Sequence, residues 1–322
     1  MKPVRIGVIG AGRWGRTIIE TLSRRPELVL ARLASTNPAS ARLVPATCII
    51  SLEWQRVAAA DDLAGVIIAT PPRLHAQMAT VALQAGNGVL VEKPLALEIA
   101  EATAVVELSR GLGGIVQVDH IDLFNPAWTA LKAGLPQLEG IASVEVSFGG
   151  PGPFREDVEP RWDWGSHPIA LCLDLLGKPS AIRARQVLYC RTQLGLLEHV
   201  DIHLDFPDAV TARIVVSNAL RDRQRSVEVR GRCATLVYDD VAAHKLVHRD
   251  PSGSRAVPVD DERALDRVLA RFADSLAAGR PDWQDAELGL RVVEVLGRVD
   301  ETLIATREAT RVSTGKNQRA RR

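Results

Sequence analysis

Residues 4–9 read Val-Arg-Ile-Gly-Val-Ile and run straight into Gly10-Ala11-Gly12-Arg13-Trp14-Gly15. A Gly-x-Gly-x-x-Gly series between a strand and a helix limits the fold more than any other stretch of this chain, because each glycine has its own physical task. Gly10 permits the tight turn out of the strand. Gly12 lets backbone N–H groups approach a pyrophosphate, and Gly15 lets the helix pack closely on the sheet. The helix N-terminus adds unpaired donors and the positive end of its dipole. The segment predicts a doubly wound α/β unit that holds a dinucleotide, with Arg13 and Trp14 at the phosphate turn.

A length of 322 residues fits one large or two medium domains. Lys and Arg total 40 against 39 Asp and Glu, so no global charge points to nucleic acid or a membrane surface. No apolar run is long enough to span a bilayer. Met1-Lys2-Pro3 enters a strand without the apolar core of a signal peptide, and a cytoplasmic location is expected. Cys48, Cys172, Cys190 and Cys233 show no CxxC spacing and read as buried thiols in a reducing compartment. The pairs His199/His203 and His244/His248 lack neighbouring ligands, so no metal site is expected.

Strand patterns at Val4–Ile9, Leu28–Ala34, Gly65–Thr70, Gly88–Glu92 and Gly114–Asp119 alternate with helix patterns at Arg13–Arg24, His75–Ala85 and Glu98–Arg110. That alternation belongs to a parallel sheet with crossover helices. Beyond Asp119 the period changes. Ala142–Phe148, Ala181–Cys190, Val200–Phe206, Val210–Ser217, Ser226–Gly231 and Thr235–Tyr238 alternate apolar and polar residues, as strands with one buried face do. A helix pattern at Ile169–Leu176 interrupts them, and Glu262–Ala278 and Asp285–Arg307 follow as helices. The expected fold is α/β: an N-terminal Rossmann sheet over residues 1–120, then an α+β domain with a large, mostly antiparallel open sheet over 121–313. The basic stretch 314–322 reads as a frayed tail.

The adenosine ribose of a dinucleotide should meet the end of the second strand, where a carboxylate would bind a free 2′-hydroxyl and repel a 2′-phosphate. Here the stretch is Ser35-Thr36-Asn37, with no carboxylate. Two hydroxyls and an amide, with Arg13 or Arg42 nearby, favour NADP(H) over NAD(H).

The run Ile67-Ile68-Ala69-Thr70-Pro71-Pro72, then His75, then Val91-Glu92-Lys93-Pro94-Leu95 resembles the glucose–fructose oxidoreductase/inositol dehydrogenase (Gfo/Idh/MocA) family. Asp119-His120-Ile121-Asp122-Leu123-Phe124-Asn125-Pro126 is similar to that family's entry into its second domain. Trp162-Asp163-Trp164-Gly165-Ser166-His167 resembles its Asp-x-Gly-x-His segment. The resemblance implies an enzyme that moves hydride between a nicotinamide and a carbinol or keto carbon of a sugar, cyclitol or nucleotide-linked sugar. By motif position, Lys93 meets the substrate oxygen, Pro94 follows a cis peptide bond, and Glu92 fixes the lysine or contacts cofactor ribose. His167 is then the general base and Asp163 orients substrate hydroxyls or shares proton transfer. Thr70 and Pro71 border the cofactor, and His75 packs under it. Trp164 and His120 are lesser candidates for the substrate side. Arg155 and Arg161 could grip a diphosphate or carboxylate. Where many members carry an aspartate after the catalytic histidine, this chain has Pro168 and Ala170. The resemblance further implies a homodimer or homotetramer. Two other readings stay open: a reductase of the same fold acting on an imine, dihydrodiol or linear tetrapyrrole, and a non-catalytic NADP(H)-binding regulator.

Overall fold

The computed structural model describes residues 3–319, with side chains as far as Ala305. The chain divides into two compact units, residues 1–126 with 261–293, and residues 127–260 with 294–322. The single boundary expected near 120 is thus replaced by a chain that leaves the first unit, returns to it and leaves again. Of the expected tail at 314–322, residues 320–322 and all of the side chains lie outside the described residues.

In the first unit, six strands line up as β3-β2-β1-β4-β5-β6. They are β1 (Val4–Ile9), β2 (Leu28–Ala34), β3 (Ile49–Ser51), β4 (Gly65–Ile68), β5 (Gly88–Glu92) and β6 (Val116–Asp119). Every pairing is parallel. The helices are α1 (Arg13–Leu22), α2 (Gln55–Ala58), α3 (His75–Gln84) and α4 (Ile99–Leu112). Alternation along β1 shows why both faces need covering: Ile6 and Val8 join one core with Ile18, Ile19 and Leu22 of α1. The intervening Gly7 faces Val57 of α2. A helix far along the chain, α7 (Ala264–Ala278), completes the first of those cores with Leu265, Val268, Leu269 and Phe272. Its apolar residues recur at helical spacing, and burying four large side chains contributes on the order of 6–12 kcal/mol before entropy is counted.

The second unit holds an eight-stranded sheet in the order β14-β13-β12-β11-β7-β10-β9-β8. Its strands are β7 (Ile141–Pro151), β8 (Ala181–Thr192), β9 (Gly195–Asp205), β10 (Thr211–Ser217), β11 (Ala219–Gly231), β12 (Thr235–Asp239), β13 (Leu246–Asp250) and β14 (Gly253–Ala256). Only β7 and β10 run parallel. Helix α5 (Pro126–Gly134) buries Trp128, whose indole donates to Asp174 at 2.8 Å. Helix α6 (Pro160–Leu176) packs on β7, β9 and β10, and α8 (Trp283–Arg319) begins in the first unit and continues into the second.

Several expectations shift. Helix α6 starts nine residues earlier than the expected Ile169, with Pro168 inside it. Pro168 has no N–H and leaves the Trp164 carbonyl without its helical donor, which made the sequence look like a helix start rather than an interior. Strands β3, β13 and β14 and helix α2, each of three to five residues, escape the sequence pattern, as does the nine-residue α5. Cys48 and Cys172 are buried, and burial pushes their thiols up to about 11 and about 12; Cys190 and Cys233 are exposed, correcting the expectation that all four lie inside.

Candidate active site

The β1–α1 turn and the end of β4 lie side by side, at the point where the strand order reverses. A cavity of about 740 Å³ opens there in the first unit. Gly10 has φ +100°, and a Cβ on it would come within 2.3 Å of the Ala69 carbonyl. A Cβ on Gly15 would sit 2.1 Å from the Gly10 carbonyl, so only glycine lets α1 come this close. At Gly12 a Cβ would meet nothing within 4 Å. That open face, at the N-cap of a helix with no side-chain cap and no acidic residue in its first turn, is a cradle for an anion. Arg13, Ser35, Thr36 and Asn37 line the cavity, as do Thr70 and Pro71. Sequence reasoning missed Arg16, Leu52, Trp54, Leu74 and Met78, which line it as well. Arg16 directly follows the fingerprint on α1, Leu74 and Met78 lie on the 3₁₀ turn and helix after β4, and Leu52 and Trp54 follow β3; no motif marks any of them as lining residues. Arg42 is not among the lining residues.

Lys93 and Pro94 follow β5 and are joined by a cis peptide bond, as the resemblance implied. His75, fully buried in the first turn of α3, fastens this turn to the cavity wall. Its Nδ1 lies 2.8 Å from the Pro94 carbonyl and its Nε2 2.8 Å from the Thr70 carbonyl. Carbonyls only accept, so the tautomer decides which of the two contacts carries the ring N–H. His75 is thus a brace between two site turns. On the neighbouring strand, Asp119 pairs in register with Glu92, and the Trp14 indole lies within hydrogen-bonding reach of both carboxyls. Burial, reinforced by the charge of Asp119, pushes Glu92 well above the usual carboxylate range, and burial raises Asp119. His120 is buried beside Asp119, in the residue before a 3₁₀ turn at Ile121–Phe124.

In the second unit, α6 carries both Asp163 and His167. Asp163 lies in its first turn and His167 one turn later, which places the two on one face. Phe148 of β7 stacks on the His167 ring at 6.3 Å between centroids. Arg155 reaches Asp157 at 2.6 Å and Asp163 at 3.2 Å, and its hydrogen bonds hold Asp157 below the usual carboxylate range. Arg161 is different from the cation expected to face a substrate. It is buried, with its guanidinium on Glu198 at 2.8 Å, on Asp300 at 2.5 Å and on Glu159. Trp162 donates to the same Asp300 at 2.9 Å. Arg161 thus anchors the start of α6, and Trp164 lies half-buried on the same helix.

Residues 4–120 match the model of an oxidoreductase family with an NAD-binding Rossmann fold. A solved structure from Magnetospirillum magnetotacticum MS-1, assigned to the oxidoreductases, is 41% identical, with a TM-score of 0.85 over 92% of this chain and 99% of that one. The chain belongs to the Gfo/Idh/MocA oxidoreductase family. It is also similar to the UDP-N-acetylglucosamine 3-dehydrogenase of Acidithiobacillus ferrooxidans, at 25% identity over 90% of this chain and 94% of that one. Biliverdin reductase from Synechocystis sp. PCC 6803 shares the fold, with a TM-score of 0.81 at 23% identity over 94% of this chain and 99% of that one. Membership makes this Gfo/Idh/MocA protein an NAD(P)-dependent oxidoreductase, and the open face at Gly12 fits the pyrophosphate of such a cofactor. Among the described residues no group of metal-ligating side chains gathers, and no helix is long and apolar enough to cross a membrane.

Proposed function

We propose that this oxidoreductase moves hydride between a nicotinamide and a carbinol or keto carbon of a sugar, cyclitol or nucleotide-linked sugar, and that it prefers NADP(H). The observation that carries the reading is the Glu92-Lys93-Pro94 turn at the carboxyl end of β5. His75 ties it to Thr70, itself on the wall of the cofactor cavity. When bound, the nicotinamide takes up or gives the hydride. Lys93 holds the substrate oxygen with its ammonium, which stabilises negative charge as an alkoxide develops. His167 takes the hydroxyl proton in oxidation and returns it in reduction, since imidazole titrates near neutrality. Asp163 orients neighbouring hydroxyls and is braced by Arg155. Both arginines are paired with carboxylates, but Arg161 is buried while Arg155 is about one-third exposed, which makes Arg155 the better candidate for a substrate diphosphate. The preference for NADP(H) rests on Ser35, Thr36 and Asn37 lining the cavity with no carboxylate among them, and on Arg13 and Arg16 beside them.

A panel of free and nucleotide-linked sugars and cyclitols, assayed with NADP⁺ and NAD⁺, tests both halves. Turnover of one of these classes with a lower Kd for NADPH than for NADH is expected. Activity confined to imines, dihydrodiols or linear tetrapyrroles would replace the sugar reading, and tighter NADH binding would reverse the cofactor preference. A protein that binds cofactor and turns over none of these compounds would be a regulator.

A further inference from the structure

Two carboxyls meet at the carboxyl edge of the first unit's sheet. Glu92 and Asp119 stand opposite one another across the β5–β6 pairing. Asp119 is buried, and Glu92 Oε1 and Asp119 Oδ1 are both enclosed with no protein donor to either atom among the described residues. Trp14, the second residue of α1, reaches both carboxyls with its indole N–H. The charged neighbours that act on the pair are Lys93, which follows Glu92 in the chain, and Asp122.

Two ionised carboxylates in an enclosed contact repel each other and lose their hydration. Two neutral acids would place no negative charge beside Lys93. One proton held in the side-chain hydrogen bond between the two carboxyls relieves the repulsion and leaves a single negative charge. We infer that Glu92 and Asp119 hold one proton in common and act as a monoanionic unit that positions the Lys93 ammonium, with the Trp14 indole fastening that unit to the fingerprint helix. Asp119 and Trp14 are then positioning residues, neither of which meets the substrate. No proton leaves the pair during turnover; its charge is constant. The inference rests on the reading of Lys93 as the residue that meets the substrate oxygen.

Amide variants separate charge from shape. In Asp119→Asn, Glu92 loses its repelling neighbour while Lys93 and the Trp14 indole still favour its charge against burial, so it ionises; in Glu92→Gln, Asp119 carries the charge. Each single variant therefore keeps one negative charge beside Lys93, and only the double variant loses it. The expected result is a fall in kcat of ~5-fold for each single variant and of ~100-fold or more for the double, beyond the product of the two. NADPH affinity and the unfolding midpoint serve as controls for cofactor binding and folding. Carbon-13 spectra of labelled carboxyls in cofactor-free protein read the shared proton directly, with Glu92 assigned by its disappearance in Glu92→Gln. One proton across the two carboxyls at pH 7 in the wild type, and an ionised Glu92 in Asp119→Asn, is the expected pattern. Two ionised carboxyls in the wild type, or single variants as damaging as the double, would overturn the inference. Absence of turnover in the wild type would instead sink the proposed reaction, since the spectrum needs neither substrate nor cofactor.

Discussion

The two units present chemistry by different physical means. In the first, the groups aimed at the cavity are largely main-chain: the open face of Gly12, the helix N-terminus behind it, and turns locked by His75 through two carbonyls. In the second, side chains on α6 carry the candidate groups, and they are aimed by a buried ion cluster in which Arg161 meets Glu198 and Asp300. A main-chain site costs little desolvation, because peptide dipoles are already fixed by the sheet and helix. A side-chain site needs supporting partners, and these come from wherever the fold can bring them. The first design suits a ligand shared by many enzymes; the second can change substrate without disturbing the fold around it.

Removing the amine from the first unit should have the largest effect. Lys93→Ala is expected to lower kcat/KM by ~10³- to 10⁴-fold, about 4–5.5 kcal/mol, as loss of a donor to developing negative charge does. NADPH affinity should stay within a few-fold, measured by fluorescence titration. An equal loss in affinity would mean that Lys93 serves the cofactor cradle rather than the reaction, and the division between the units would blur.

Next in size is the anchor of the second unit. Arg161→Met leaves Glu198, 1% exposed, as a buried carboxylate without its cation. Such a loss costs about 3–4 kcal/mol in unfolding free energy, toward the lower end of the usual range because Asp300 and Glu159 are partly exposed. Urea unfolding measures it. A cost under about 1 kcal/mol, with activity retained, would show that α6 is aimed by packing alone.

Legibility in the sequence follows the same division. The boundaries of β1, β2 and β5 are those the apolar runs predicted, and the fingerprint glycines stand where their spacing put them. A main-chain site demands special residues at short, fixed intervals, so its chemistry is written locally. The role of Arg161 could not be read this way, because its partners Glu198 and Asp300 lie 37 and 139 residues away. An arginine near a candidate histidine looks the same in a sequence whether it faces solvent or three carboxylates. Locally Asp119 is just a strand end, because its pairing with Glu92 exists only once β5 and β6 lie side by side. The return of α7 to the first core is also invisible locally, since an amphipathic helix does not state which sheet it covers.

A smaller change sharpens the account of the first unit. Gly12→Ala adds a methyl group that meets no protein atom within 4 Å, so folding should be nearly unaffected. The same methyl occupies the space into which the pyrophosphate must come, and NADPH affinity should fall by ~10-fold, about 1.4 kcal/mol. Calorimetric titration alongside thermal unfolding separates the two. Loss of stability without loss of affinity would contradict the assignment of Gly12 to ligand approach, and would give it the packing task of Gly15.

The smallest expected effect is a pair of opposite pH slopes. Glu92 has its pKa raised in the folded state, chiefly by burial, so the folded chain holds a proton that the unfolded chain releases. Its stabilising contribution is fully present below the ordinary glutamate pKa and is lost as pH rises through the raised value. Asp157 has its pKa lowered by hydrogen bonds from Arg155. Its contribution is present above the ordinary aspartate pKa and is lost as pH falls through the lowered one. Arg155→Gln should therefore flatten the acid limb of the stability curve by about 0.5 kcal/mol, small because the pair is partly solvent-screened. Asp119→Asn should flatten the alkaline decline instead and leave the acid limb in place. Unfolding free energies from pH 3 to 9 for both variants test the assignment, and a single variant that altered both limbs would show that the two units do not titrate independently.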